Sequence, residues 1–519
     1  MVLQGSGFRT HNHSATFLLI IIVGLAFLTR VWGIDFGLPY LYHADEPHYL
    51  QSAQILFKTH WPDPNQLIEP TSSKLVYVVN ALAYVPYYFT GKLLGLFESP
   101  ADIPSPVLIN MGVGVTAKPS TVLLGRLISL FLGVASVFLI YKIASRQFNF
   151  MVGLLSALLL AISPWNVAHS HYITPDVYVV FFTLLVYWGA INLSPQGNIH
   201  MYLISGIALG CLVSAKINGV LISIPLLWAH FYQARKKWLQ DFRFHLMVLA
   251  GLITFLITTP YFLVDARRVI KDVIDLGSHY STGHAGMEGD SLRWYIFNLG
   301  RAEGLVALLA LVEIGRGLFL RLKPQIFLSI YPASYFIFIS SFTVRNDRTI
   351  LPILPFLCIL ASSFLYSFYE WLRLRSESKI ASSISILLIF LTISVPVFRT
   401  IEYDRYFSTI NSRETARIWI EENLPPGSKI VIEPYSPFVD PGHFSVTGVL
   451  RIIQHEPKWY VENDYEYIIL ASGMFGRFFA EPERYSNEVA LYNAFFQRFR
   501  LVKLFLDGGY EVRIYTPVE

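Results

Sequence analysis

Long apolar runs recur from the start of the chain to about residue 397, with short polar segments between them. A membrane-spanning helix needs roughly 20 mostly apolar residues. Nine candidate runs occur at residues 15–33, 122–145, 152–167, 177–193, 244–263, 305–320, 326–342, 350–367 and 380–397. Two shorter runs, residues 201–213 and 217–231, flank Lys216 and predict a tight helical hairpin. The pattern predicts a polytopic α-helical membrane protein with about 11 transmembrane helices.

The chain after residue 398 has the pattern of a folded α/β domain. Ser412 stands where it could cap an amphipathic helix, and short apolar runs further on are typical of buried strands. Helices are predicted at residues 413–423 and 483–499, and strands at residues 429–433, 465–470 and 510–515. We therefore divide the chain into a transmembrane part, residues 1–398, with a large first outer loop at residues 34–121, and an α/β domain at residues 399–519.

Composition agrees with a membrane protein. Hydrophobic residues make up 54% of the chain and charged residues only 15%, whereas a soluble domain carries about 25% charge. The net charge of +4 is too small for a nucleic-acid partner. The two cysteines, Cys211 and Cys358, lie in apolar runs and indicate neither a disulfide framework nor a cysteine metal site.

The charges of the loops predict an orientation. Basic loops concentrate on the cytoplasmic side of a membrane. With the N-terminus inside, every basic loop falls on the inner face; these loops contain Arg146, Arg235, Lys236, Lys237, Arg243, Arg316, Arg321, Lys323, Arg373, Arg375 and Lys379. We predict a multi-pass protein of the cell (inner) membrane, with a cytoplasmic N-terminus and an extracytoplasmic C-terminal domain. Its long loops and unusual acids then face outward.

The most informative short stretch runs from Tyr42 to Tyr49 in the first outer loop. Asp45 and Glu46 precede Pro47, and an amphipathic pattern follows over residues 47–58. Acidic residues before a proline are a common way to start a helix. A carboxylate at the apolar boundary could equally serve as a general base with a raised proton affinity. The two interpretations are compatible, and the residues alone leave both open.

Other polar residues stand at the predicted outer ends of spans. Asp176 follows Pro175 in a stretch that also holds His169 and His171, and it could simply cap the fourth span. A His-x-His pair is weak evidence for a metal. Four cations occupy similar positions, namely Lys74, Lys216, Arg345 and Arg348. Each alone could extend its charge to the interface, but together they indicate a bound anionic lipid headgroup.

The order of these motifs resembles a known family. Asp45-Glu46 comes after the first span, a tyrosine-rich run follows Lys74, and Gly125-Arg126-Leu127 opens the second span; Ser163-Pro164-Trp165, Pro175-Asp176, Ser214-Ala215-Lys216 and Arg348 with Leu351-Pro352 follow in order. This order resembles the membrane glycosyltransferases of the GT-C fold. The similar branch contains protein O-mannosyltransferases and the aminoarabinose transferase that modifies lipid A. The resemblance covers roughly residues 15–370.

The resemblance implies a mechanism and a set of site residues. Its donor would be a sugar on a polyprenyl phosphate, presented at the outer face, and the transfer would invert the anomeric carbon. Asp45 would be the general base, and Glu46 would orient the acceptor or Asp45. Donor phosphate would be held by Lys74, Lys216, Arg345 and Arg348. His43, Asp176 and His171 would line the cavity.

Several alternatives stay open at this point. A transporter or flippase for lipid-linked sugars would also have many spans and a few intramembrane charges, and a catalytically inactive scaffold could bind polyprenyl phosphate. No cofactor is required by any motif, although a divalent cation could bridge Asp45 or Asp176 and the donor phosphate. The acceptor could be a glycan, a lipid or a protein, and the sequence does not name the sugar.

Overall fold

The structure is a computed structural model, and it describes residues 13–59, 74–108, 115–193 and 199–518. The predicted cytoplasmic N-terminus, residues 1–12, lies outside the described residues. So do residues 60–73 and 109–114 of the first outer loop and the side chains of the basic residues 235–237.

Within these ranges, the regular elements before residue 409 are helices apart from one small hairpin. Its helices are α1 (His13–Val31), α2 (Glu46–Thr59), α3 (Lys74–Leu93), α4 (Pro119–Gln147), α5 (Phe150–Ala161), α6 (Pro164–His169), α7 (Pro175–Asn192), α8 (Ile199–Ala215), α9 (Ser223–Ala234), α10 (Phe242–Thr258), α11 (Tyr261–Val264), α12 (Ala266–Thr282), α13 (Ser291–Glu303), α14 (Leu305–Phe319), α15 (Lys323–Ser340), α16 (Asp347–Ile350), α17 (Leu354–Arg373) and α18 (Ser378–Ser408). The hairpin pairs β1 (Val107–Leu108) with β2 (Val115–Thr116).

Several of these helices are suited to a bilayer. By length and composition, five helical segments among the described residues could cross a membrane: His13–Val31, Pro119–Gln147, Pro175–Asn192, Asp347–Arg373 and Ser378–Asn423. Three shorter apolar helices, α5, α8 and α10, add to them. The helical membrane class is therefore confirmed, whereas the number of about 11 spans stays a prediction.

Prolines divide two runs that the sequence pattern predicts as single spans. The run at residues 152–167 forms α5 and α6, because Pro164 has no N–H to continue the helix and its ring crowds the preceding turn. Pro260 separates α10 from α11 in the same way. These breaks create additional helix ends in the helical part. Polar side chains at these ends can lie close to one another between apolar helices.

The C-terminal part forms a five-stranded mixed sheet with helices around it. The helices are α19 (Ser412–Asn423), α20 (Pro457–Glu462), α21 (Ser472–Phe479) and α22 (Ser486–Arg498), and the strands are β3 (Lys429–Ile432), β4 (Ser445–Gly448), β5 (Tyr467–Ala471), β6 (Phe499–Phe505) and β7 (Val512–Pro517). The strand order is β4-β3-β5-β7-β6, with β3 parallel to β4 and β5 and the remaining pairs antiparallel. Asn411, not the predicted Ser412, caps α19, since its side chain accepts the N–H of Arg413.

The C-terminal domain contacts the loops of the helical part directly. Helix α18 continues without interruption through residue 398, where the sequence pattern places the domain boundary. The guanidinium of Arg413 donates to the backbone oxygen of Tyr42 at 3.0 Å. The Tyr485 hydroxyl donates to Glu288 Oε1 at 2.7 Å. The domain therefore rests on the same end of the helices that carries the Asp45 loop.

Candidate active site

Asp45 lies immediately before α2 and forms an ion pair with Arg348. Both side chains are 36% exposed, so the pair lines an open surface and is not part of the packed core. The backbone N–H of Asp45 donates to His43 Nδ1 at 3.3 Å, and the His43 ring packs at a tilt against the Tyr172 ring with centroids 4.0 Å apart. The loop before α2 is thus held in a defined conformation around the carboxylate.

A second acid–base group surrounds Asp176 at the start of α7. Lys216 Nζ donates to Asp176 Oδ1 at 2.6 Å, and the Asp176 side chain is 1% exposed. His169 lies between two carboxylates, with Nδ1 3.6 Å from Asp176 Oδ2 and Nε2 3.6 Å from Asp347 Oδ2. Asp176, His169 and Asp347 therefore form a continuous row of alternating charges.

The two groups interact through charge. Burial alone would lower the pKa of His169, but Asp347 and Asp176 raise it to about 9, so the imidazole is protonated at neutral pH. Burial alone would raise the pKa of Asp45, yet Arg348 and His43 hold it below its usual value, with Asp176 acting in the opposite direction. The site thus combines three carboxylates with three cations.

The positions of these side chains follow from helix ends. Pro175 begins α7 and places Asp176 in its first turn, where the N-terminal helix dipole favours a carboxylate. Lys216 has an extended backbone between α8 and the following turn. Asn346 caps α16 by accepting the N–H of Thr349 at 3.0 Å, which places Asp347 and Arg348 at the helix entrance. Helix termini from distant parts of the chain therefore meet at one place.

Glu46 occupies a different environment from its neighbour Asp45. Its side chain is fully buried, and Arg126 donates to both carboxylate oxygens at 2.9 and 2.8 Å. The backbone N–H of Ile173 also donates to Glu46 Oε1 at 3.1 Å. The prediction that Glu46 orients the acceptor does not match this position, because a side chain without exposed surface cannot contact a substrate. Its contacts instead fix the backbone next to Asp45.

Lys74 begins α3 and has charged neighbours other than those of the Asp45 group. Its side chain is 2% exposed, and Nζ has no hydrogen-bond partner among the described residues. Burial lowers the pKa of Lys74 to about 8, while Asp272 opposes this shift and Arg268 adds to it. Because its charged neighbours are one acid, Asp272, and one base, Arg268, the phosphate role of Lys74 stays a prediction.

Arg345 and His171 also lie elsewhere than predicted. Arg345 forms an ion pair with Glu481 of the C-terminal domain, although it is close in sequence to Arg348. His171 is fully buried, and its two ring nitrogens each lie 3.0 Å from a backbone oxygen, those of Val167 and Trp32. His171 therefore holds loops together and does not line a cavity. Arg345 connects the helical part to the C-terminal domain.

Four residues of the site were not assigned a role from the sequence. His169 and Asp347 complete the charge row, and Arg126 holds Glu46. Tyr280 on α12 lies close to both groups: burial would raise its pKa, but Lys216 and Arg348 lower it below the usual value. Arg126 could have been identified from its place in the Gly125-Arg126-Leu127 motif, whereas nothing in the local sequence pattern distinguishes Tyr280.

The fit to a metal ion is poor. Within residues 13–59, 74–108, 115–193 and 199–518, no group of three or more His, Cys, Asp or Glu side chains could hold one. Asp45 and Asp176 each pair with a cation of the protein. A divalent cation that bridges Asp45 or Asp176 and the donor phosphate stays a prediction.

Comparisons with known proteins agree on a fold. A family described as dolichyl-phosphate-mannose-protein mannosyltransferase matches residues 108–261. The archaeal oligosaccharyltransferase AglB of Archaeoglobus fulgidus, solved with an inhibitory peptide and a dolichol-phosphate, is 12% identical with a TM-score of 0.58, covering 98% of this chain and 74% of AglB. ArnT of Cupriavidus metallidurans, solved with undecaprenyl phosphate, is 14% identical with a TM-score of 0.55, covering 97% and 98%. No curated protein sequence matches the chain.

Proposed function

We propose that this chain, which has the GT-C fold, is an inverting glycosyltransferase that uses a polyprenyl-phosphate sugar at the outer face of the membrane. The observation that carries the proposal is the Asp45–Arg348 ion pair beside the Asp176–Lys216 pair, at an accessible surface where helix ends meet. A general base and cations for a leaving phosphate are the groups that such a transfer needs.

Asp45 would act as the base in a single displacement. The carboxylate takes the proton of an acceptor hydroxyl while that oxygen forms a bond to the anomeric carbon. The bond between the anomeric carbon and the phosphate oxygen breaks, and the phosphate leaves with the electron pair. One base on one face gives inversion, and the phosphate leaving group makes a protein nucleophile unnecessary.

Arg348 would link donor binding to the release of the base. In the structure Arg348 neutralises Asp45 and holds its pKa below the usual value. A donor phosphate competes for the same guanidinium, because arginine binds phosphate and carboxylate in the same bidentate way. When Arg348 turns to the phosphate, Asp45 loses its partner and becomes a stronger base. Binding of the donor would thus prepare the acceptor side of the reaction.

Lys216 and Lys74 would stabilise the leaving phosphate. Asp176 fixes Lys216 at 2.6 Å, so the ammonium needs little reorganisation when negative charge develops. Lys74 lacks a hydrogen-bond partner among the described residues, and a phosphate oxygen would satisfy its buried Nζ. The lipids bound by AglB and ArnT, a dolichol-phosphate and undecaprenyl phosphate, support this class of donor.

The position of the charges favours an enzyme over a flippase. Asp45 precedes α2, Asp176 begins α7, Lys216 follows α8 and Arg348 lies in α16. All four stand at helix ends predicted to face outward, whereas a transport path would need polar groups along the span. The cluster therefore supports chemistry at one membrane face.

Replacement of the base tests the proposal. Cells that carry the Asp45→Asn variant should accumulate the polyprenyl-phosphate sugar, and transfer of the sugar should fall by about 10²- to 10⁴-fold. Mass spectrometry of lipids and surface glycans measures both effects. Asp35→Asn is the matched control, because Asp35 is an exposed acid in the same loop. Near wild-type transfer by Asp45→Asn would overturn the assignment.

A further inference from the structure

A cavity of about 680 Å³ lies between the helical part and the C-terminal domain. Its walls come from α6, α13, α16 and α18 and from the loops before α13 and α16, and its far side comes from the segment after α21. The volume is within the range of about 300–1,000 Å³ that small-ligand sites occupy. No residue of a strand lines it within the described part of the chain, so the walls offer no strand edge for an extended peptide.

The charges on the cavity wall balance. Six of the lining side chains are charged at neutral pH, three of them basic and three acidic: Arg301, Arg345, Arg399, Asp347, Glu402 and Glu481. Arg345 pairs with Glu481, and Arg399 pairs with Glu402 at 2.7 Å. A wall with this many charges does not suit a polyprenyl or acyl chain. Because its positive and negative charges are equal in number, it does not favour a polyanion either. Its ligand should be polar and uncharged.

Aromatic rings complete the wall. Trp165, Trp294, Tyr403 and Tyr406 all line the cavity. Pyranose rings present apolar C–H faces that pack on aromatic rings, and their hydroxyls form hydrogen bonds with planar arginine, carboxylate and amide groups. Rings together with paired planar groups therefore indicate a carbohydrate.

The cavity meets the reaction site at one residue. Asp347 lines the cavity, is 42% exposed, and faces His169 Nε2 at 3.6 Å on its other side. The next residue, Arg348, pairs with Asp45. The cavity therefore adjoins the row of charges formed by Asp176, His169 and Asp347.

We propose that this cavity binds the acceptor, and that the acceptor is an uncharged glycan whose terminal hydroxyl reaches Asp45. This inference rests on the proposed function and adds a substrate class to it. Trp294 provides the stacking surface, and the Arg399–Glu402 pair provides hydrogen bonds to hydroxyls. A peptide acceptor is the alternative that the experiment below distinguishes.

Binding of oligosaccharides to the full chain tests this inference. The protein in lipid nanodiscs would be titrated with neutral gluco-, manno- and galacto-oligosaccharides, a serine- and threonine-containing peptide, and undecaprenyl phosphate. At least one oligosaccharide should bind to the wild type, and Trp294→Ala should weaken that binding by roughly tenfold or more. Undecaprenyl phosphate should bind both forms equally. Trp371→Ala is the matched control, because Trp371 is an exposed tryptophan outside the cavity.

The outcomes separate the two proposals. A wild type that binds undecaprenyl phosphate but no neutral oligosaccharide, or that binds the peptide instead, overturns the glycan site and leaves the proposed function standing. Oligosaccharide binding that Trp294→Ala leaves unchanged also overturns it. If Trp294→Ala does not fold, Glu402→Gln is tested in its place and should weaken oligosaccharide binding to the same extent. Glu402 is exposed, so its replacement should not affect folding. Failure of the proposed function appears separately, as unaltered transfer by Asp45→Asn.

Discussion

Asp45 and Arg348 are 303 positions apart in the chain, yet each determines the chemistry of the other. Arg348 keeps Asp45 ionised, and Asp45 keeps a cation at the place where the donor phosphate is expected. His169 contributes a third cation, because its two carboxylate neighbours raise its pKa to about 9. The pairs make the site close to neutral before a substrate enters.

The pH dependence of transfer should report the Asp45–Arg348 pair. In the proposed mechanism transfer needs ionised Asp45, so activity should fall as the pH drops through its pKa. Arg348→Gln removes the charge that lowers the pKa of Asp45, whereas the burial that raises this pKa remains. The acid limb of the pH profile of kcat/KM should therefore move to higher pH by about 1–3 pH units. Arg348→Lys keeps the charge and should retain most of the wild-type limb. An unmoved limb in Arg348→Gln would show that Asp45 is not the titrating base.

The Glu46–Arg126 pair should be essential for stability. Glu46→Gln leaves the buried Arg126 guanidinium without its carboxylate, and breaking a buried pair costs about 3–5 kcal/mol. The thermal midpoint of the purified protein should fall clearly. Glu98→Gln, which alters an exposed acid, should leave it unchanged. An unchanged midpoint for Glu46→Gln would mean that other contacts hold the loop.

At the scale of elements, helix ends create the site. Breaks at Pro164 and at Lys216 end helices close to the proposed site and place polar residues there. Helix α19 of the C-terminal domain then reaches back to the Asp45 loop, since Arg413 donates to the Tyr42 oxygen at 3.0 Å and lies over the Tyr42 ring. The domain therefore contributes to the position of the proposed base.

Arg413 should act as a positioning residue for Asp45. Arg413→Ala removes the contact with Tyr42, and a small displacement of the base can cost about 10- to 100-fold in rate. We expect kcat to fall while the KM for the donor changes little, and Arg413→Lys to restore part of the rate. Arg500→Ala on the exposed face of β6 is the control. A loss of folded protein with an unchanged kcat per folded molecule would contradict a positioning role.

At the scale of the whole molecule, the shared end of the helices carries the charge clusters, the cavity and the C-terminal domain. AglB and ArnT have a similar fold despite identities of only 12% and 14%, so the fold itself does not depend on a particular sequence. The predicted orientation places that end outside the cytoplasm, where a lipid-linked donor and a surface acceptor would meet.

Labelling of single cysteines should establish the orientation. A membrane-impermeant maleimide applied to intact cells should label Arg500→Cys, in the C-terminal domain, and not Arg375→Cys, in a predicted inner loop. Both variants should react after permeabilisation. The unsubstituted chain is the control, because Cys211 and Cys358 lie within apolar helices. The reverse labelling pattern would invert the orientation and remove the outer face from the proposal.

The sequence by itself determined the features that depend on local pattern. Apolar runs define helices, because a bilayer requires them, and the order of motifs around Asp45, Asp176 and Lys216 identified the fold that the comparisons support. Its helix and strand predictions in the C-terminal part also agree with α19, α22, β3, β5 and β7. Such features are short-range in the chain, so periodicity and composition are enough to find them.

Only the tertiary structure decided which charged residues work together. Adjacent acids separate, since Asp45 faces an open surface while Glu46 is buried against Arg126. Arg345 and Arg348 also have different partners, since Arg345 forms an ion pair with Glu481 and Arg348 forms one with Asp45. The physical reason is that each charge needs a partner when it leaves water. Partners come from distant helix ends, which local sequence does not specify.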